Sequence, residues 1–168
     1  MRLFIAVNLN DQIKNELIKQ TDLLKKVSLR GNFSRRENLH LTLAFIGEYG
    51  NIDAVKRAMD EIESKCFELS LCGGGNFGSL YWIGLKKEPL LDELASKIRK
   101  SLAKNGIPFD GKPFSPHITI AREVITDTKI NLPPCRSKMQ VDGFSLMRSD
   151  RINGKLTYTR IYRKEITG

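Results

Sequence analysis

The residues best equipped for chemistry sit in two short phrases. "HLTLA" (40–44) and "HITIA" (117–121) contain the only two histidines of the chain, and each places a threonine two residues after its histidine. In an extended strand alternate side chains share a face. His40, Thr42 and Ala44 are thus expected on one face, with Leu41, Leu43 and Phe45 on the other; His117, Thr119 and Ala121 oppose Ile118 and Ile120 in the same way. Each strand would bury its aliphatic side and offer an imidazole and a hydroxyl to a common cleft, with the alanines keeping the floor shallow. Two groups that titrate near neutrality can divide the work: one takes a proton from water, the other gives one to a leaving oxygen. Hydroxyls, with a nearby arginine, bind non-bridging phosphate oxygens. Taken singly, either histidine would read as a satisfied core residue. The echo makes the pair a candidate for phosphoester chemistry.

Two rival readings fail on spacing and context. Two histidines and a carboxylate can hold zinc or iron, but neither HxxxH nor HExxH occurs, and Asp110 and Glu123, the acids nearest His117, fall off its expected face. No metal and no cofactor is expected. "GGGNFG" (73–78) satisfies GxGxxG, but that fingerprint needs a helix after it to receive a pyrophosphate. "SLYWIGL" comes next instead and reads as a strand, so the glycines are expected to form a hairpin turn.

The elements that must position these phrases are legible from periodicity. "LFIAVNL" (3–9) is a short apolar run suited to a buried strand. Asn10 caps a helix over 11–27, with Ile13, Leu17, Leu24 and Val27 on one face and Lys14, Lys19, Lys25 and Lys26 largely outside it. A polar connector, 31–38, leads to the strand 39–46, and a second amphipathic helix is expected over 52–66. A hairpin spans 67–85. A third helix starts near Pro89 and stops at Gly106. After the strand 117–122, segments 139–150 and 155–166 read as two strands around the turn "RINGK". Phe45 and Trp82 are assigned to the core rather than to stacking platforms.

Bulk properties bound the rest. The 168 residues suit one domain or two small lobes sharing a core, and 40% hydrophobic content suffices to bury one. With 28 Lys and Arg against 19 Asp and Glu the chain carries +9, a field that favours polyanionic partners such as RNA. Three cysteines without a CxxC pattern argue against a disulfide framework and for a reducing compartment, here the cytoplasm. No apolar run is long enough to span a bilayer, so no membrane partner is expected.

The residues just described resemble the paired HxT motifs of the 2H phosphoesterases, and most closely the bacterial and archaeal RNA 2′,3′-cyclic phosphodiesterases, also called 2′-5′ RNA ligases. "MRLFIAVNL", "ENLHLTLAFIGE", "LYWIGL", "PFSPHITIARE" and "FSLMRSDRINGKLTYTRIYR" occur in the order usual for that family. The resemblance implies an α+β, bilobal fold over 1–168, its two lobes related by a pseudo-twofold and antiparallel sheets lining the cleft. It implies metal-independent hydrolysis of 2′,3′-cyclic phosphate ends of RNA to 2′-phosphates, with His40 and His117 as the acid–base pair. Thr42, Thr119 and Arg122 would bind the phosphate. Arg35, Arg36 and Lys112 are RNA contacts to test, and a monomer is expected. The connector "GNFSRREN" departs from many relatives, which have a large residue and a proline there. The competing class is a non-catalytic nucleotide- or RNA-binding module using the same cleft.

Overall fold

The structure, a computed structural model, describes residues 1–168. Its nine strands form two antiparallel sheets. β1 (Arg2–Asn8), β3 (His40–Glu48), β8 (Gly143–Ile152) and β9 (Lys155–Glu165) make the first, in the order β3-β1-β8-β9. β2 (Arg30–Phe33), β4 (Phe67–Phe77), β5 (Leu80–Leu85), β6 (His117–Ile125) and β7 (Lys138–Val141) make the second, in the order β2-β6-β5-β4-β7. The fold is α+β, and the order reveals its repeat. β1, a helix and β3 form an adjacent strand pair in one sheet; β5, a helix and β6 do the same in the other.

The first helix, α1 (Asp11–Val27), begins where Asn10 accepts the Ile13 N–H at 2.9 Å, and its last turn carries Lys25 and Lys26 against the carbonyl end. Ile13, Leu17 and Leu24 are buried as expected, whereas Val27 is exposed. α1 leaves the first sheet yet packs on β2, β6 and β7 of the second. α3 (Pro89–Lys104) leaves the second sheet and packs on β3 of the first and on α2 (Ile52–Asp60). The two lobes therefore share one apolar cluster of 35 buried residues.

Four expectations need correction. The second helix ends at Asp60 rather than near residue 66. Ile62 N–H closes a last turn on Met59 O, the Glu61 carboxylate accepts bonds from Ser101, Lys104 and Asn105 of the α3 end, and the chain then runs into β4. The connector 31–38 contains β2 and a short 3₁₀ turn, Arg36–Asn38; β2 is a polar edge strand and has no apolar alternation to announce it. The segment 139–150 is two strands, because the chain changes sheet at Asp142. The triple glycine lies inside β4, not in the turn, which falls at Gly78–Ser79. Glycine is required there by a close approach: a Cβ on Gly75 would lie 2.5 Å from two ring carbons of Trp82.

Candidate active site

β3 and β6 approach each other where the two sheets meet, and both phrases lie on them. Leu41, Leu43, Ile118 and Ile120 are fully buried, while His40, Thr42, His117 and Thr119 are half-buried, so the expected two faces exist. The alternation then breaks at one equivalent point in each strand. β1 pairs Ala6 with Thr42 but Ile5 with Ala44, skipping Leu43; β5 pairs Trp82 with Thr119 but Tyr81 with Ala121, skipping Ile120. Each skipped residue is a β-bulge, which shifts the facing of the downstream side chains by one position. Ala44 and Ala121 accordingly go into the core rather than flooring the cleft. Phe45, expected in the core, joins Phe4, Met147 and Tyr158 on the His40 side. Arg122 takes the equivalent position in the second strand. Strict alternation would have set it opposite Thr119; the bulge brings it round. Trp82, also assigned to the core, is only half-buried and lines a cavity beside His117.

The histidines are held alike. His40 Nδ1 lies 2.7 Å from Asn38 O, and His117 Nδ1 lies 2.7 Å from Ser115 O. A carbonyl only accepts, so Nδ1 carries the hydrogen in both rings and Nε2 is left for chemistry. His40 Nε2 is 2.9 Å from Thr42 Oγ1. The 3₁₀ turn that supplies the Asn38 carbonyl is itself tied to β9: Leu156 O accepts from Asn38 Nδ2 at 2.9 Å and from the Arg35 guanidinium. Phe4 and Tyr158 flank the His40 ring at centroid distances of 4.9 and 5.1 Å.

Burial holds His40 below the usual histidine pKa; the hydrogen bond to Asn38 opposes this, and the positive charges of Arg122, His117 and Lys14 add to it. These groups, drawn from β6 and α1, therefore bear on one site with the β3 histidine. Burial also pushes the Tyr158 hydroxyl up, against the pull of Arg122 and Arg2. Lys14, read from sequence as an outer helix charge, is half-buried and near enough to His40 for its charge to act on that ring. Tyr158, Phe4 and Asn8, which pairs with His40 across β1 and β3, were likewise not found, since apolar alternation marks a face without marking its use. Arg35 pairs with Glu37 at 2.8 Å, and Arg36 with Asp11 at 3.1 Å and Asn15 at 2.7 Å. Lys112 is exposed, its carbonyl accepting from Arg99 at 2.5 Å. No three His, Cys, Asp or Glu side chains gather in a metal-binding group, and no helix is long and apolar enough to cross a membrane.

Two half-equivalent lobes, each carrying a histidine and a threonine on the strand that meets the other lobe, define a two-histidine class of protein. Comparison with known proteins narrows the class. A family model described as the 2′-5′ RNA ligase superfamily matches residues 11–153. The chain is 30% identical to the RNA 2′,3′-cyclic phosphodiesterase of Escherichia coli (strain K12) over 173 residues, covering 99% of this chain and 97% of that protein. It is 29% identical to the RNA 2′,3′-cyclic phosphodiesterase of Thermotoga maritima over 191 residues, covering 100% and 97%. The crystal structure of E. coli LigT in apo form superposes with a TM-score of 0.86 at 29% identity, covering 99% of this chain and 98% of that one. LigT complexed with 3′-AMP gives 0.87 at 28% identity and the same coverage. This chain belongs to the 2′-5′ RNA ligase superfamily.

Proposed function

We propose that this chain is an RNA 2′,3′-cyclic phosphodiesterase that opens 2′,3′-cyclic phosphate ends to 2′-phosphates. The observation that carries the reading is the matched pair of imidazoles, each with Nδ1 held by a carbonyl two residues earlier, so that Nε2 is the nitrogen that exchanges protons; in His40 it rests on the Thr42 hydroxyl. In the reaction His117 Nε2 takes a proton from water as the oxygen attacks phosphorus. The P–O3′ bond breaks, and His40 Nε2 delivers a proton to O3′. A depressed pKa makes the His40 imidazolium a stronger acid towards a poor alkoxide leaving group. The anionic phosphate, arriving beside the charge of Arg122, helps His40 hold that proton until it is needed. Thr42 and Thr119 supply hydroxyls to the non-bridging oxygens, and Arg122 supplies charge. Arg35, Arg36 and Lys112 remain a rim set for RNA, although a phosphate would compete with Glu37 and Asp11 for the two arginines.

The test is to incubate the purified protein, in EDTA, with 2′,3′-cyclic AMP and with RNA ending in a cyclic phosphate, and to identify the product by phosphorus NMR. A 2′-phosphate formed by the wild type and lost in His40→Ala and His117→Ala supports the assignment. Tight nucleotide binding without turnover would make the cleft a binding module instead. The same proposal includes a single bilobal domain, monomeric and cytoplasmic, that works without a cofactor.

A further inference from the structure

A cavity of about 1160 Å³ lies not at the histidines but beside one of them. It exceeds the roughly 300–1,000 Å³ of ordinary small-ligand sites. Its boundary includes Pro116, which precedes His117, and Gly84, which pairs with His117 across β5 and β6. From there it runs over Gly73 of β4 and along α3. The pseudo-twofold shows why it opens on this side. The partner of His40 is Asn8, whereas the partner of His117 is Gly84; the partner of Thr42 is Ala6, whereas that of Thr119 is Trp82. One lobe is closed beside its histidine by a side chain. The other is open at a glycine and paved by an indole.

Trp82 is built as a shelf. One side of its ring system rests on Gly75, and Phe77 lies between it and the histidine, with centroids 5.3 Å from Trp82 and 5.8 Å from His117. Its Nε1 is buried without a hydrogen-bond acceptor in the protein, and so is Nε of Arg99. Arg99 is held in place by the faces of Phe109 and Phe114, at 5.9 and 5.8 Å, and by the Lys112 carbonyl. Lys86, Lys87 and Lys100 add exposed positive charge along the walls; Glu88 and Asp92 are the acidic members, and Glu88 is engaged in capping α3 through the Leu90 N–H. Aromatic shelf, lysine walls and continuity with the catalytic cleft are the parts of a single-strand nucleic-acid groove.

We propose that this cavity holds the single-stranded RNA segment leading away from the reacting end, with a base stacked on Trp82 and phosphates on Lys86, Lys87, Lys100 and Arg99. The proposal rests on the phosphodiesterase reading for its polarity, but its test does not need turnover. Trp82 is the only tryptophan in the chain, so its emission reports the groove directly. A fluorescein-labelled RNA hexamer ending in a 2′-phosphate is titrated into wild type and into Lys86→Ala/Lys87→Ala/Lys100→Ala across a salt series. Anisotropy is read in that titration, and Trp82 emission in a parallel one with the unlabelled hexamer. The expected result is quenched Trp82 emission, and for the triple variant a binding constant lower by roughly tenfold or more at low salt. Its log–log salt slope should be shallower by about 2, since each phosphate no longer neutralised by a lysine removes about 0.7. Unquenched emission with equal slopes in both proteins would overturn the groove, as would the same loss appearing in Arg35→Ala/Arg36→Ala instead. Failure of the wild type to open cyclic ends would defeat the phosphodiesterase reading alone, since hexamer binding is read independently of it.

Discussion

His40 and His117 are predicted to be equally indispensable though unequal in surroundings. Replacing either by alanine should lower turnover of a 2′,3′-cyclic substrate by about 10²–10⁴-fold, the usual scale for a positioned acid or base. The double variant should be little worse than the poorer single one, because the two groups act in one step. Thr42→Ala and Thr119→Ala should each cost only about 1 kcal/mol, the net worth of a neutral hydrogen bond. The sign of the His40 shift gives a separate check. Burial and nearby positive charge both disfavour its protonated form, so its titration by proton NMR should fall below the usual value of about 6.5. Arg122→Gln removes one of those charges and should move His40 upward. With His40 as the acid, kcat/KM should decline as pH rises past that midpoint, and the Arg122→Gln decline should begin at higher pH. A midpoint at or above 6.5 that ignores Arg122 would break the link between the two residues.

At the scale of the strand, the repeated bulge does what the two motifs cannot do alone. The HxT phrase sets a histidine and a threonine on one face; the extra residue, Leu43 or Ile120, then decides which later side chain joins them. In one strand that is Phe45 and in the other Arg122, which makes one wall of the cleft apolar and the other cationic. Directly after Arg122 the backbone of Glu123 takes φ 54°, in the left-handed region, where β2 and β6 slip register. A non-glycine residue is disfavoured there by roughly 1–2 kcal/mol. Glu123→Gly should therefore raise the urea midpoint and Glu123→Val should lower it. A Glu123→Gly variant destabilised like an ordinary strand glycine would mean that the neighbouring structure needs the side chain more than it suffers the strain. These elements also mark where the sequence was readable. α1 was legible to the residue because a capping Asn10, a 3.6-residue apolar period and terminal lysines all agree. The bulges were not, since "LTLAF" and "ITIAR" keep a plausible alternation and only the register of the neighbouring strand breaks it. The sheet switch at Asp142 and the polar edge strand β2 were hidden for the same reason: both are set by partners distant in sequence. The histidines and threonines were legible because an echo of rare residues needs no tertiary information, whereas Lys14 and Tyr158 enter the site only through packing.

Over the whole molecule, the crossed helices join what the pseudo-twofold divides. α1 starts from the first sheet and covers the second, and α3 does the reverse, so neither sheet can keep its helix if the other opens. Cleft geometry is tied to overall stability by the same arrangement, because β3 and β6 are braced by helices from opposite lobes. The consequence is a single unfolding transition, which the position of the lone tryptophan allows to be read. Trp82 sits on β5 in the second sheet, while Leu94 of α3 is fully buried in the core shared by both lobes. Leu94→Ala should cost about 2–5 kcal/mol. In a chain of this size each kcal/mol lowers Tm by about 2–4 °C. The fluorescence transition of Trp82 and the far-ultraviolet circular dichroism transition should both move, by the same amount, and remain superimposable. Leu17→Ala in α1 should do likewise from the other side. If Leu94→Ala instead separated an early dichroism step from an unmoved Trp82 step, the lobes would be independent folding units, and the cleft between them would have to be described as a hinge.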